Sequence, residues 1–107
     1  MITLTAAAPE PLSRTSPSDR PPLRVGLVQH RWRSDAKELA TVLRGAIDRA
    51  AAEGARVVFL PEITLLRYPA DTPAGPNPGA TAEDLTDGPT FTLAAEAAAA
   101  NGIYVHA

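Results

Sequence analysis

Residues 50–62 read Ala50-Ala51-Ala52-Glu53-Gly54-Ala55-Arg56-Val57-Val58-Phe59-Leu60-Pro61-Glu62. The reading of this run decides the fold. Gly54, directly after Glu53, suits the residue just past a helix C-terminus, where a left-handed backbone favours glycine. Arg56 to Leu60 is a short, β-branched apolar run bounded by Gly and Pro, the pattern of a strand buried on both faces. Pro61 has no N–H to give a ladder and holds Leu60 extended. The strand therefore ends there, and Glu62 is presented at its C-terminal edge.

Working outward, the helix before Gly54 has a clear start. Asp35 is a good N-cap, and Glu38 three residues on completes a capping box. Leu39, Val42, Leu43, Ala46, Ile47 and Ala50 recur at helical spacing and form one apolar stripe. Leu23 to His30 is a second short apolar run, read as the first strand. Downstream, a second helix starts near Pro89, whose missing N–H costs nothing in the first turn. It runs through Phe91, Ala94, Ala95 and Ala98 and stops at Asn101-Gly102. Asn101 to Ala107 then opens with a turn and supplies a third strand.

Strands alternating with helices imply βαβ units, a parallel sheet and right-handed crossovers, with both helices on one face. Val58 and Leu60 project opposite to Val57 and Phe59, so one pair lacks cover. A large aliphatic side chain left in water forfeits about 1.5–3 kcal/mol. The expectation is that these residues are a piece of a larger α/β domain, or that a partner covers the naked face.

Composition narrows the function classes. The chain has 107 residues, 10 Lys+Arg against 12 Asp+Glu, and a formal net charge of -2. That balance excludes a strongly basic nucleic-acid binder. No apolar run approaches the roughly 20 residues that cross a bilayer, so no membrane partner is expected. The absence of Cys excludes disulfides, thiolate metal sites and thiol catalysis within these residues. Residues 1–22, rich in Pro and Ser, read as a disordered tail rather than a secretory signal. With no export signal, the protein is placed in the cytoplasm.

The segment from Glu62 to Gly88 is long and irregular. It follows a strand's C-terminal end, the edge where ligands bind in parallel sheets. Glu62 has two readings. As a general base it would sit partly buried beside Ile63; as a solvated loop residue it would pair with Arg67 or Arg56. His30 and His106 lie at strand ends, but Ser34 and Thr64 sit in no G-x-S-x-G elbow that would make a triad. Trp32 is read as the anchor of a surface turn at Arg31 to Arg33. Lys37, the one lysine, is read as an exposed charge in the first helical turn. Glu83, Asp84 and Asp87 admit a cationic substrate, but fit better as a solvated face before a helix N-terminus. No glycine-rich phosphate loop is present, and no cofactor or metal is implied.

The pattern L-R-V-G-L-V-Q (Leu23 to Gln29), the run from Ala50 to Glu62, Tyr68, D-G-P-T (Asp87 to Thr90), and A-A-E-A-A-A-A-N-G-I-Y-V (Ala94 to Val105) together resemble the start of the nitrilase superfamily of carbon–nitrogen hydrolases. The resemblance covers Leu23 to Ala107. It implies an α/β fold, the N-terminal βαβ-α-β portion of a four-layer αββα sandwich, incomplete in this chain. A second sheet would then cover the naked face. It also implies a Glu–Lys–Cys triad acting on a small-molecule amide, carbamoyl or nitrile substrate, and a homo-oligomer when full length. Only the Glu carries over, to Glu62 as general base; the Lys and Cys of relatives lie later, and Lys37 does not match. Tyr68 is the substrate-pocket candidate. Arg67 is a departure, because relatives commonly carry Gly before this Tyr. The expectation is that these residues alone hydrolyse nothing, with a binding or regulatory module as the alternative.

Overall fold

A computed structural model describes residues 1–12, 16, 19–71, 73 and 75–107. Ser13, Pro17 and Ser18 of the expected tail lie outside the described residues. The elements are β1 (Val25–Leu27), α1 (Ala36–Ala52), β2 (Val57–Phe59), α2 (Pro89–Asn101) and β3 (Tyr104–His106), with short 3₁₀ turns at Pro69–Asp71 and Pro78–Thr81. The strands pair in parallel in the order β1-β2-β3. Val25, Val57 and Tyr104 are in register, as are Gly26, Val58 and Val105, and Leu27, Phe59 and His106.

All three strands are shorter than the apolar runs that announce them. Hydrogen bonds carry the pairing slightly further: Arg56 N–H donates to the Arg24 carbonyl, Val28 N–H to Phe59, and Leu60 N–H to His106. Beyond these bonds Pro61, which has no N–H, can add nothing to the ladder.

The ends of α1 follow from single residues. The Asp35 carboxylate accepts the Glu38 N–H at 2.8 Å, as the cap requires. The reciprocal half of the expected box does not form, because Glu38 takes Arg33 Nη1 at 2.6 Å instead. A full charge nearby outcompetes a neutral backbone donor for a carboxylate. At the other end Gly54 has φ +88°. Gly54 N–H donates to Ala51 and Ala55 N–H to Ala50, which is a Schellman closure. Arg24 Nη1 donates to the Glu53 carbonyl at 2.6 Å, placing a positive group at the negative helix end.

The start of α2 is held by the acidic stretch. Glu83 Oε2 accepts the Thr90 N–H at 2.8 Å, and Gly88 N–H donates to the Asp84 carbonyl. A Cβ on Gly88 would collide with that same carbonyl, so only glycine fits there. The Asp84 carboxylate accepts the Thr86 hydroxyl and N–H. These bonds hold its carboxyl below the ordinary carboxylate range, the hydroxyl contributing most. Glu83 and Asp84 thus build the helix entry, as their position before an N-terminus implies.

Ala94 and Ala97 are buried, with Leu93 and Ala98 partly so, whereas Phe91 and Ala95 are exposed. A helix this rich in alanine has no strong apolar gradient around its axis. Its rotation is set by packing against α1, where Asn101 Nδ2 donates to Asp48 Oδ1 at 2.7 Å.

Both helices lie on one face of the sheet. Leu39, Leu43 and Ile47 of α1 pack with Val58, Leu60, Ala55 and Ala97 into the core. The approach depends on Gly26, where a Cβ would come within 2.9 Å of the Ala50 Cβ. The opposite face is open, as the alternation along β2 predicts. Leu27 is 79% exposed, Tyr104 73% and Phe59 38%, whereas Val58 is fully buried. His106 lies on the open face against Phe59, ring centroids 5.3 Å apart.

Candidate functional site

The C-terminal ends of β1 and β2 open into one concavity of about 410 Å³. His30 and Trp32 enter it after β1. Pro61, Glu62, Ile63, Leu66, Arg67, Tyr68 and Asp71 enter it after β2. Of the irregular segment from Glu62 to Gly88, residues between Glu62 and Asp71 line this hollow, together with His30, Trp32 and Pro61 from outside it.

Glu62 is exposed, contrary to the partial burial expected of it beside Ile63. Ile63 beside it is itself only half-buried and does not screen it. The expected pairing with Arg67 or Arg56 is also absent: Arg67 lies instead 3.7 Å from Asp71. Among the described residues Glu62 has no hydrogen-bond or ion-pair partner. Its side chain borders the hollow.

The backbone around Glu62 is sharply turned. Ile63 has φ +56°, the one positive φ outside glycine among the described residues. A β-branched residue there is strained, at a cost of about 1–3 kcal/mol. The turn is closed by Thr64, which is buried and whose hydroxyl donates to the Pro61 carbonyl at 2.9 Å. That bond occupies the Thr64 hydroxyl, so it is no nucleophile for a histidine. Nothing in the residue types announces the strain at Ile63.

The aromatic side of the hollow corrects one expectation. Trp32 does not merely anchor a surface turn; it forms a wall of the concavity, and the Arg67 guanidinium lies 5.9 Å from its ring centroid. The two are 35 residues apart, and this cation–π approach is a tertiary contact with no local signal. Tyr68 lines the same hollow and is itself exposed. His30 Nδ1 lies 3.1 Å from the Arg31 carbonyl and donates to it when that nitrogen carries the proton. His106 is on the open sheet face, away from these residues. Lys37 is exposed in the first turn of α1.

In open parallel α/β sheets ligands bind outside the carboxyl ends of the strands, and the hollow with Glu62 lies at that edge. The carbon-nitrogen hydrolase family model matches residues 24–107, and the chain belongs to that family. A search of curated proteins and one of solved structures found no match. Among the described residues no helix is long and apolar enough to cross a membrane.

Proposed function

We propose that this chain is the general-base portion of a hydrolase that cleaves non-peptide C–N bonds in small amides, N-carbamoyl compounds or nitriles. The observation that carries the reading is Glu62, exposed and unpaired at the edge of β2, at the mouth of the hollow. In the triad that the family implies, Glu62 takes the proton of a cysteine thiol. The thiolate attacks the carbonyl or nitrile carbon, and a lysine stabilises the charge that develops on the substrate oxygen or nitrogen. Glu62 then activates the water that releases the acyl group. These 107 residues contain no Cys and a single Lys, Lys37, in the first turn of α1, which does not match the lysine the resemblance implies. Alone they are inactive.

The open sheet face fits a second, covering sheet in a four-layer αββα sandwich, with residues 23–107 as its N-terminal part and residues 1–22 as a tail. Tyr68 lines the substrate pocket. The full-length protein acts in the cytoplasm as a homo-oligomer. The test is turnover of a panel of small amides, carbamoyl compounds and nitriles by the native protein. Glu62→Gln should lower kcat by about 10²–10⁴, and exposed Glu96→Gln should not. A Glu62→Gln protein with undiminished turnover would remove the reading.

A second reading is favoured by the exposure of Leu27, Phe59 and Tyr104 on one face. In it the chain is an inactive module that binds a partner through that face. The two part in solution. An isolated piece binds the dye ANS and unfolds without a sharp transition, whereas a module unfolds cooperatively once its partner is added.

A further inference from the structure

Thr64 is the one buried polar side chain among the described residues, 3% exposed. Burying a hydroxyl costs free energy that its one hydrogen bond does little more than offset. The bond therefore matters for what it holds. The Thr64 hydroxyl reaches back across Glu62 and Ile63 to the Pro61 carbonyl at 2.9 Å. Residues 62–66 bend with no backbone hydrogen bond among the described residues to close them, so this side chain is the closure. Within it lies Ile63 at φ +56°, a region that a β-branched residue leaves when released. Leu60 belongs to the core and Leu65 packs against it, and Glu62 is exposed between these two anchors. Its carboxylate has no partner among the described residues. Where that carboxylate goes is set by the direction in which its side chain leaves the backbone.

We propose that Thr64 is the positioning residue of Glu62: its hydroxyl holds Ile63 in the left-handed region, and that turn fixes how the Glu62 side chain leaves the chain at the edge of the hollow. The proposal rests on the hydrolase reading above and adds one residue to it. Thr64 is buried and does not line the hollow, so it touches neither substrate nor the reacting atoms. A general base works only within hydrogen-bond reach of the proton it takes, and a misplacement of about 1 Å costs about 10²-fold in rate. Substrate binding is left alone, because the substrate does not meet Thr64. The strain at Ile63 then has a use: a relaxed turn sends the Glu62 side chain in another direction.

Variants of the native protein separate this role from a merely structural one. Each is assayed on the small amide, carbamoyl compound or nitrile that the native protein turns over, well below its own melting temperature. Thr64→Val keeps the shape and loses the hydroxyl. It should lower kcat about 10- to 100-fold and leave KM within about twofold. Thr64→Ser keeps the hydroxyl and loses a buried methyl, so it should melt at a lower temperature yet hold kcat within about threefold. Glycine adopts a positive φ freely, so in an Ile63→Gly background Thr64→Val should cost no more than about threefold. That background carries the test if Thr64→Val alone does not fold. In the 107-residue chain, NMR couplings should show Ile63 leaving its positive φ in Thr64→Val and keeping it in Thr64→Ser. Undiminished kcat in Thr64→Val, equal losses in Thr64→Val and Thr64→Ser, a raised KM in place of a lowered kcat, or a positive φ retained in Thr64→Val would each overturn the proposal. The hydrolase reading fails differently. If Glu62→Gln lowers kcat and Thr64→Val does not, that reading stands and the positioning role falls. If Glu62→Gln itself keeps full turnover, the hydrolase reading falls and the proposal with it.

Discussion

The two faces of the same three strands have opposite fates. On one, Gly26, Val58 and Val105 lie in register beneath α1 and α2, and Val58 is fully buried. On the other, Leu27, Phe59 and His106 lie in register with no helix over them. Both faces are apolar in sequence. The difference teaches that apolar patterning records what a strand is built to touch, whereas burial records what is there to touch it. A covered face keeps this segment folded. The open one leaves Leu27, Phe59 and Tyr104 exposed.

Substitutions can break this contrast at both faces. The largest effect is expected at Val58, where Val58→Asp puts an unpaired charge into the core beneath α1. The isolated chain should lose its helical circular dichroism altogether. Gly26→Ala is next, because the new methyl must fit where only 2.9 Å separates it from Ala50 Cβ. Overpacking of this kind costs about 1–3 kcal/mol, read as a lower denaturant midpoint. On the open face the result reverses. Leu27→Ser should change the folding stability by less than about 0.5 kcal/mol, as exposed positions do. It should nonetheless reduce ANS binding and self-association of the isolated chain.

The smallest effect sharpens the covered side. Asp48 ties α1 to α2 by accepting from Asn101, and within α1 it also accepts from Arg44. The Asn101 bond is the main cause that holds its carboxyl below the ordinary range, with Arg44 adding to it. A carboxyl depressed on folding adds stability above its unfolded value, and that stability is lost as pH falls through the lowered folded value. Asp48→Asn should therefore flatten the pH dependence of stability below about pH 4. The change is small, because the pair is half exposed and solvent screens it.

Much of this fold was legible because its decisive signals are local. Asp35 caps α1 through a bond three residues away, Gly54 closes it, and Pro89 and Gly102 bracket α2. The βαβ alternation then leaves few arrangements. The rotation of α2 was not legible, because alanines on every side offer no gradient and the contact with α1 chooses. The site divides in the same way. Pro61 alone announces that Glu62 stands at a strand edge. The exposure of Glu62, the approach of Arg67 to Trp32 and the turn at Ile63 depend on residues distant in sequence or on backbone strain. No spacing encodes them.

The central claim is that this segment supplies one catalytic group, Glu62, to a site whose nucleophile lies elsewhere. The most direct measurement is the intact mass of the isolated 107-residue chain after incubation with small amide, carbamoyl and nitrile substrates, with product followed in the same samples. The account predicts an unchanged 11.2 kDa species and no product. A covalent acyl adduct, or turnover by the chain alone, would contradict it.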